Sequence, residues 1–238
     1  MMLDKIVEEW NTLYKNHPVK RCQGSYVLDE DGCNAQLRHL KIDGIDAIDI
    51  PSKKMDKFNC FGALTNENCD GILLIMNSDG TYDLVFLEMK SKYSTVEIFE
   101  AKNQIIESLQ KVCILLNNLN SYDKLHIRRM FGIIACLKPN YNALDWIKQQ
   151  TYLPEDKWKI HWLGLKLHVD GNVAIDTRSL PTWYKDLPQK EGRKIEEKAK
   201  RAQAMSNKIL PEKMTFYLQY AERDDSDNIE ITIPEKKD

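Results

Sequence analysis

The 238-residue sequence has no apolar run long enough to span a bilayer, no Cys-x-x-Cys pair and only ten glycines, thinly spread. The first absence argues against a helical membrane span. The second removes zinc-ribbon and thiol-redox readings, so the six cysteines (22, 33, 60, 69, 113 and 136) are expected as free thiols. The third leaves no Gly-rich loop to cradle phosphates. Excess positive charge is missing too: the formal net charge is −2 and the isoelectric point about 6.2. A non-specific binder of DNA needs clustered cations, which leaves room only for a local basic cleft. The opening Met-Met-Leu-Asp-Lys does not read as a secretory signal. A cytoplasmic location and no membrane partner are therefore the expectations.

What is present is a core: 42% of residues are hydrophobic. Its organising stretch is Asp70 to Lys90, two apolar runs joined by Asn77-Ser-Asp-Gly80. Asp-Gly between hydrophobic runs signals a hairpin. In the second run Leu84 and Phe86 face one way and Val85 and Leu87 the other, the pattern of a strand buried on both faces. It nonetheless ends in charge, with Glu88 and Lys90 on a single face. A loop of two or three residues near Asp79 sets Cys69, Asp70 or Gly71 opposite Glu88. The three-residue loop Ser78-Asp79-Gly80 selects Asp70, with Cβ atoms about 4.5–5.5 Å apart. Two carboxylates that close repel and call for a cation, and hard oxygen ligands suit Mg²⁺ or Mn²⁺. A lysine beside them can orient a water or stabilise charge developing on a phosphate. The plainer alternative is an exposed hairpin end with a surface ion pair.

Asp70 followed, after seventeen residues, by Glu88-Met89-Lys90 resembles the Asp…Glu-x-Lys signature of the PD-(D/E)xK, or restriction-endonuclease-like, nuclease superfamily. Gln104, fourteen residues after Lys90, resembles the supporting Gln of its helicase–nuclease branch; where that branch has Tyr this chain has Ser108, and Cys69 stands in the Pro position. The resemblance spans roughly residues 60 to 137. It implies a mixed central β-sheet flanked by helices, and a metal-dependent endonuclease. Asp70 and Glu88 would be its metal ligands, and Lys90 and Gln104 its further catalytic residues. The cofactor would be Mg²⁺ or Mn²⁺, and DNA is favoured over RNA as substrate. A first-helix Glu often approaches the metal in such enzymes, which makes Glu9 a third candidate ligand. Without an evident target-recognition domain, specificity would come from a partner protein or a homo-oligomer. A role in bacterial defence against foreign DNA follows by analogy alone. The competing reading is an inactive nuclease-like module within a larger complex.

Elsewhere, the spacing of Leu3, Ile6, Val7, Trp10, Leu13 and Tyr14 predicts an amphipathic helix over 3–15. Strands are expected over 24–28, 42–50 and 128–137, and a long helix over 96–119, giving a crossover onto one mixed sheet. Lys53, Lys54 and Lys57 form a basic loop, and Lys92 follows Glu88 and Lys90 on the alternating face if the strand continues. These four lysines are the candidate nucleic-acid contacts. A short helix is expected over 141–150. The run 159–169 alternates as a strand, which sets His161 and His168 on opposite faces. Residues 1–180 are expected to form the nuclease-like domain and 181–238 an extension. That extension pairs a basic helix (189–209, seven Lys or Arg) with an acidic tail whose Ile229-Glu-Ile-Thr-Ile233 could pair at a sheet edge.

Overall fold

The computed structural model describes residues 2–30, 35–52, 68–139, 155–177, 211–221 and 228–235. Helix α1 spans Met2–Leu13 and buries Leu3, Ile6 and Trp10, the face its apolar spacing predicts. Strands β1 (Lys20–Asp29) and β2 (His39–Ile50) follow, then β3 (Gly71–Met76) and β4 (Tyr82–Lys90). Helix α2 (Thr95–Asn117) crosses over to β5 (Ile127–Leu137). Helix α3 (Glu155–Asp170), β6 (Asn172–Asp176), β7 (Lys213–Ala221) and β8 (Asn228–Glu230) complete the described chain.

All eight strands form one mixed sheet in the order β1-β2-β3-β4-β5-β7-β6, with β8 alongside β2. Strands β2, β3 and β4 make an antiparallel meander, whereas β5 pairs parallel to β4 and β7 parallel to β5. The architecture is thus α/β, with a mixed central sheet flanked by helices. The parallel β4–β5 pair requires the long connection that α2 supplies.

The two sheet faces carry separate cores. Alternate residues Tyr82, Leu84 and Phe86 pack with α1 and α2, while Val85, Leu87 and Met89 pack on the other side. Among the described residues that second side packs with Tyr26, Leu28, Leu40 and Ile42 of the β1–β2 hairpin, Ile229 of β8 and Ile231 just after it. The hairpin bends for this at Gly44. It is an extra residue in β2, where the β1 register shifts, and its φ of +72° is a left-handed conformation suited to glycine.

Two expectations change. Residues 159–169, read as a strand, lie in helix α3: Leu163 and Leu167, four apart, are buried while Trp162 and Val169 are exposed, so the helical period prevails over the alternation. His161 and His168 therefore sit two turns apart on one side of a helix, not on opposite strand faces. Strand β7, from the stretch assigned to the extension of residues 181–238, lies inside the sheet between β5 and β6, with Met214, Phe216 and Leu218 buried. The predicted helices over 141–150 and 189–209 fall outside the described residues.

Candidate active site

The loop between β3 and β4 sets the site. Asn77 N–H donates to the Thr81 carbonyl at 2.8 Å and Gly80 N–H to the Asn77 carbonyl at 3.0 Å, enclosing Ser78-Asp79-Gly80. Gly80 has the positive φ (81°) that such a three-residue loop requires. Pairing then runs from Met76 with Tyr82 to Gly71 with Leu87. One further step sets Asp70 opposite Glu88. Both lie on the helix-facing side, because Ile72, Leu74, Leu84 and Phe86, in phase with them, belong to that core.

The two acids are interlocked. Asp70 N–H donates to Glu88 Oε2 at 3.1 Å, and Asp70 Oδ2 accepts the Met89 N–H at 2.8 Å. Lys90 Nζ lies 2.8 Å from Glu88 Oε1 and donates to Gln104 Oε1 at 2.9 Å. The structure therefore brings Asp70, Glu88, Lys90 and Gln104 together at the end of β4, beside the N-terminal half of α2. Glu88 is only 2% exposed. Burial pushes its carboxyl up and the Asp70 charge adds to this, to about 8, against the opposing pull of Lys90. Burial would lower Lys90, but the Glu88 and Asp70 charges outweigh it and hold the ammonium above its ordinary value.

Helix α2 also fixes the approach to Asp70. Ser108 Oγ accepts the buried Cys69 N–H at 2.8 Å, and Lys111 Nζ, fully buried, donates to Asn68 Oδ1 at 2.7 Å. From the other side, Ser52 Oγ donates to the Asp70 carbonyl at 2.6 Å. Gln104, Ser108 and Lys111 are four and three residues apart, one face of a helix. Polar residues at that spacing within an apolar stripe were the sequence signal for Ser108 and Lys111. Ser108 holds the strand itself.

Glu9 is not brought to this site. Its carboxylate accepts the Ser121 N–H at 2.9 Å and the Ser121 hydroxyl at 2.7 Å, capping the short turn after α2. Because α2 runs back along the sheet, that turn is at the end opposite Glu88. Lys92 also departs from expectation: β4 stops at Lys90, and Lys92 is exposed and paired with Glu97 at 3.5 Å. Lys53, Lys54 and Lys57 lie outside the described residues. The histidines of α3 are engaged separately, His161 Nδ1 with Thr95 Oγ1 and His168 Nδ1 with Tyr220 Oη, each at 2.6 Å.

Asp70 and Glu88 suit a divalent cation. They are hard oxygen donors facing each other across the hairpin, and burial together with the Asp70 charge disfavours the Glu88 anion, which a cation would relieve. No cluster of three or more His, Cys, Asp or Glu occurs among the described residues. Two carboxylates alone are a sufficient protein contribution for Mg²⁺, which keeps several waters. No helix of the described residues is long and apolar enough to cross a membrane. Neither protein-family models, nor curated proteins, nor solved structures give any match to this chain, so the reading of the site rests on its geometry and its motif.

Proposed function

We propose that the chain is a metal-dependent nuclease of the PD-(D/E)xK type, cutting phosphodiester bonds in nucleic acid, with DNA favoured over RNA. The observation that carries this reading is the Asp70–Glu88 pair with Lys90 beside it on one face. The meander β2-β3-β4, the α2 crossover and the parallel β5 support it, since this is the framework the motif occupies in that superfamily. Asp70 and Glu88 would hold Mg²⁺ or Mn²⁺, which supplies Lewis acidity at the scissile phosphate and a more acidic bound water. The Lys90 ammonium, anchored by Gln104, orients the attacking water or meets the negative charge that builds on the phosphate. Ser108 and Ser52 hold Asp70 in register with Glu88.

The test is incubation with plasmid DNA, linear DNA and RNA in Mg²⁺, Mn²⁺ or EDTA. The expected result is cleavage abolished by EDTA and by Lys90→Ala. A second reading, an inactive nuclease-like module in a larger complex, draws on one observation. Both Glu88 oxygens already have partners, Lys90 and the Asp70 N–H. Absence of cleavage on every substrate and with either metal would favour it.

A further inference from the structure

A cleft of 350 Å³ lies between the start of β1 and the end of β2, lined by His17, Pro18, Lys20, Asp49 and Pro51. Lys20 and Asp49 are directly paired across the two strands. Ile48 and Ile50 of β2 point into the helix-side core, so Asp49 between them points to the other face. Among the described residues no hydrogen bond or ion pair engages its carboxylate. Burial pushes it above the ordinary range and only the Lys20 charge opposes this. A half-buried carboxylate with open lone pairs is costly unless a donor reaches it.

Backbone links connect the cleft to the candidate active site. Pro51 precedes Ser52, whose hydroxyl holds the Asp70 carbonyl at 2.6 Å. Asp49 pairs with Leu73, three residues beyond Asp70, or about 10 Å along the strand. The Asp49 side chain and the Asp70–Glu88 pair lie on opposite faces of the sheet. The volume suits a nucleotide rather than a larger ligand. Two proline rings give flat apolar walls, the carboxylate offers two acceptors side by side, and Lys20, exposed at the mouth, offers a cation. Of the four bases, guanine alone presents two parallel donors, N1–H and the 2-amino group, along one edge, which a carboxylate accepts in bidentate fashion.

We infer that this cleft receives a guanine of the substrate strand, with Asp49 accepting its Watson–Crick edge and Lys20 meeting the adjoining phosphate. The inference rests on the nuclease reading for its choice of ligand, and its consequence is a preference for guanine in the bound strand.

The test is fluorescence anisotropy in EDTA with single-stranded oligothymidylate carrying one central guanine or one central adenine, and competition by dGMP. The guanine oligonucleotide is expected to bind about tenfold more tightly than the adenine one. Asp49→Asn, which keeps the side-chain shape, should erase that difference with melting unchanged; Lys20→Ala should weaken both oligonucleotides equally. Equal binding of the two oligonucleotides overturns the inference, as does a guanine preference that survives Asp49→Asn. Competition by dGMP without any oligonucleotide preference overturns the assignment to a strand. Metal-free binding asks nothing of Asp70 and Glu88. A chain that prefers guanine yet cleaves nothing would keep the cleft and lose the nuclease, and the reverse result would separate them equally well.

Discussion

Asp70 and Glu88 hold each other reciprocally: the Asp70 backbone N–H donates to Glu88, and the Asp70 carboxylate accepts the N–H of Met89, the residue after Glu88. The two side chains that repel are thus held in place by main-chain bonds across the β3–β4 hairpin. Neither can move away without breaking the other's contact.

That arrangement makes the stability of the metal-free protein depend on pH. Burial and Asp70 raise Glu88 from 4.5 to about 8 in the folded chain. The native state therefore binds more protons than the unfolded state between those values, and stability falls as pH rises through them. In EDTA, urea midpoints of the wild type should fall from pH 5 to pH 8 relative to Glu88→Gln, then run level above pH 8. A constant difference between the two proteins across that range would contradict the raised value.

A divalent cation should reverse the effect, because it competes with the proton for the same oxygens. Mg²⁺ at one hundred times its dissociation constant stabilises by about 2.7 kcal/mol. Its stabilisation should be larger at pH 8 than at pH 6, and Asp70→Asn should abolish most of it. Thermal melting with and without Mg²⁺ at the two pH values reads this directly, independently of any nuclease assay.

Ser108→Ala tests the support beneath Asp70. The substitution removes the acceptor of the buried Cys69 N–H while leaving α2 intact, and an orphaned buried donor costs about 1–3 kcal/mol. Urea unfolding should register that loss. Cleavage should decline further than stability alone explains, since Asp70 is the residue next to the bond's far end, Cys69. Ser108→Thr, which restores a hydroxyl, should recover both in part.

How far the sequence anticipates this site depends on which interactions are local. The Asp70–Glu88 register was among those the sequence allowed, the one a three-residue Ser78-Asp79-Gly80 loop selects, and the loop length decided it. Helix α1 was readable from one continuous apolar face. Helix α3 was not: Ile160, Trp162, Leu163, Leu165, Leu167 and Val169 satisfy either period, and only packing on α2 decides. Strand β7 becomes central by pairing with β5, some eighty residues earlier, a contact that leaves little local trace. Glu9 has a helical position compatible with a metal site, and what excludes it is Ser121, more than one hundred residues away.

The contact that decides α3 gives the last prediction. Gly164 lies where α3 meets the first turn of α2: a Cβ there would stand 2.6 Å from Thr95 Cγ2 and 3.0 Å from Thr95 Cα. The Cγ2 could rotate, but the Cα is backbone at the helix start, so Gly164→Ala must push the two helices apart. Overpacking of this kind costs about 1–3 kcal/mol, more than the helix propensity that alanine contributes over glycine. The same displacement strains the Thr95–His161 hydrogen bond. Thr95 is joined to Lys90 by only four intervening residues, so the shift should reach the end of β4. Gly164→Ala should therefore lower the urea midpoint and reduce cleavage together. Adding Thr95→Ser, which deletes the offending methyl and keeps the hydroxyl, should recover part of both. An alanine variant as stable as the wild type would contradict the close seating of α3 against the first turn of α2.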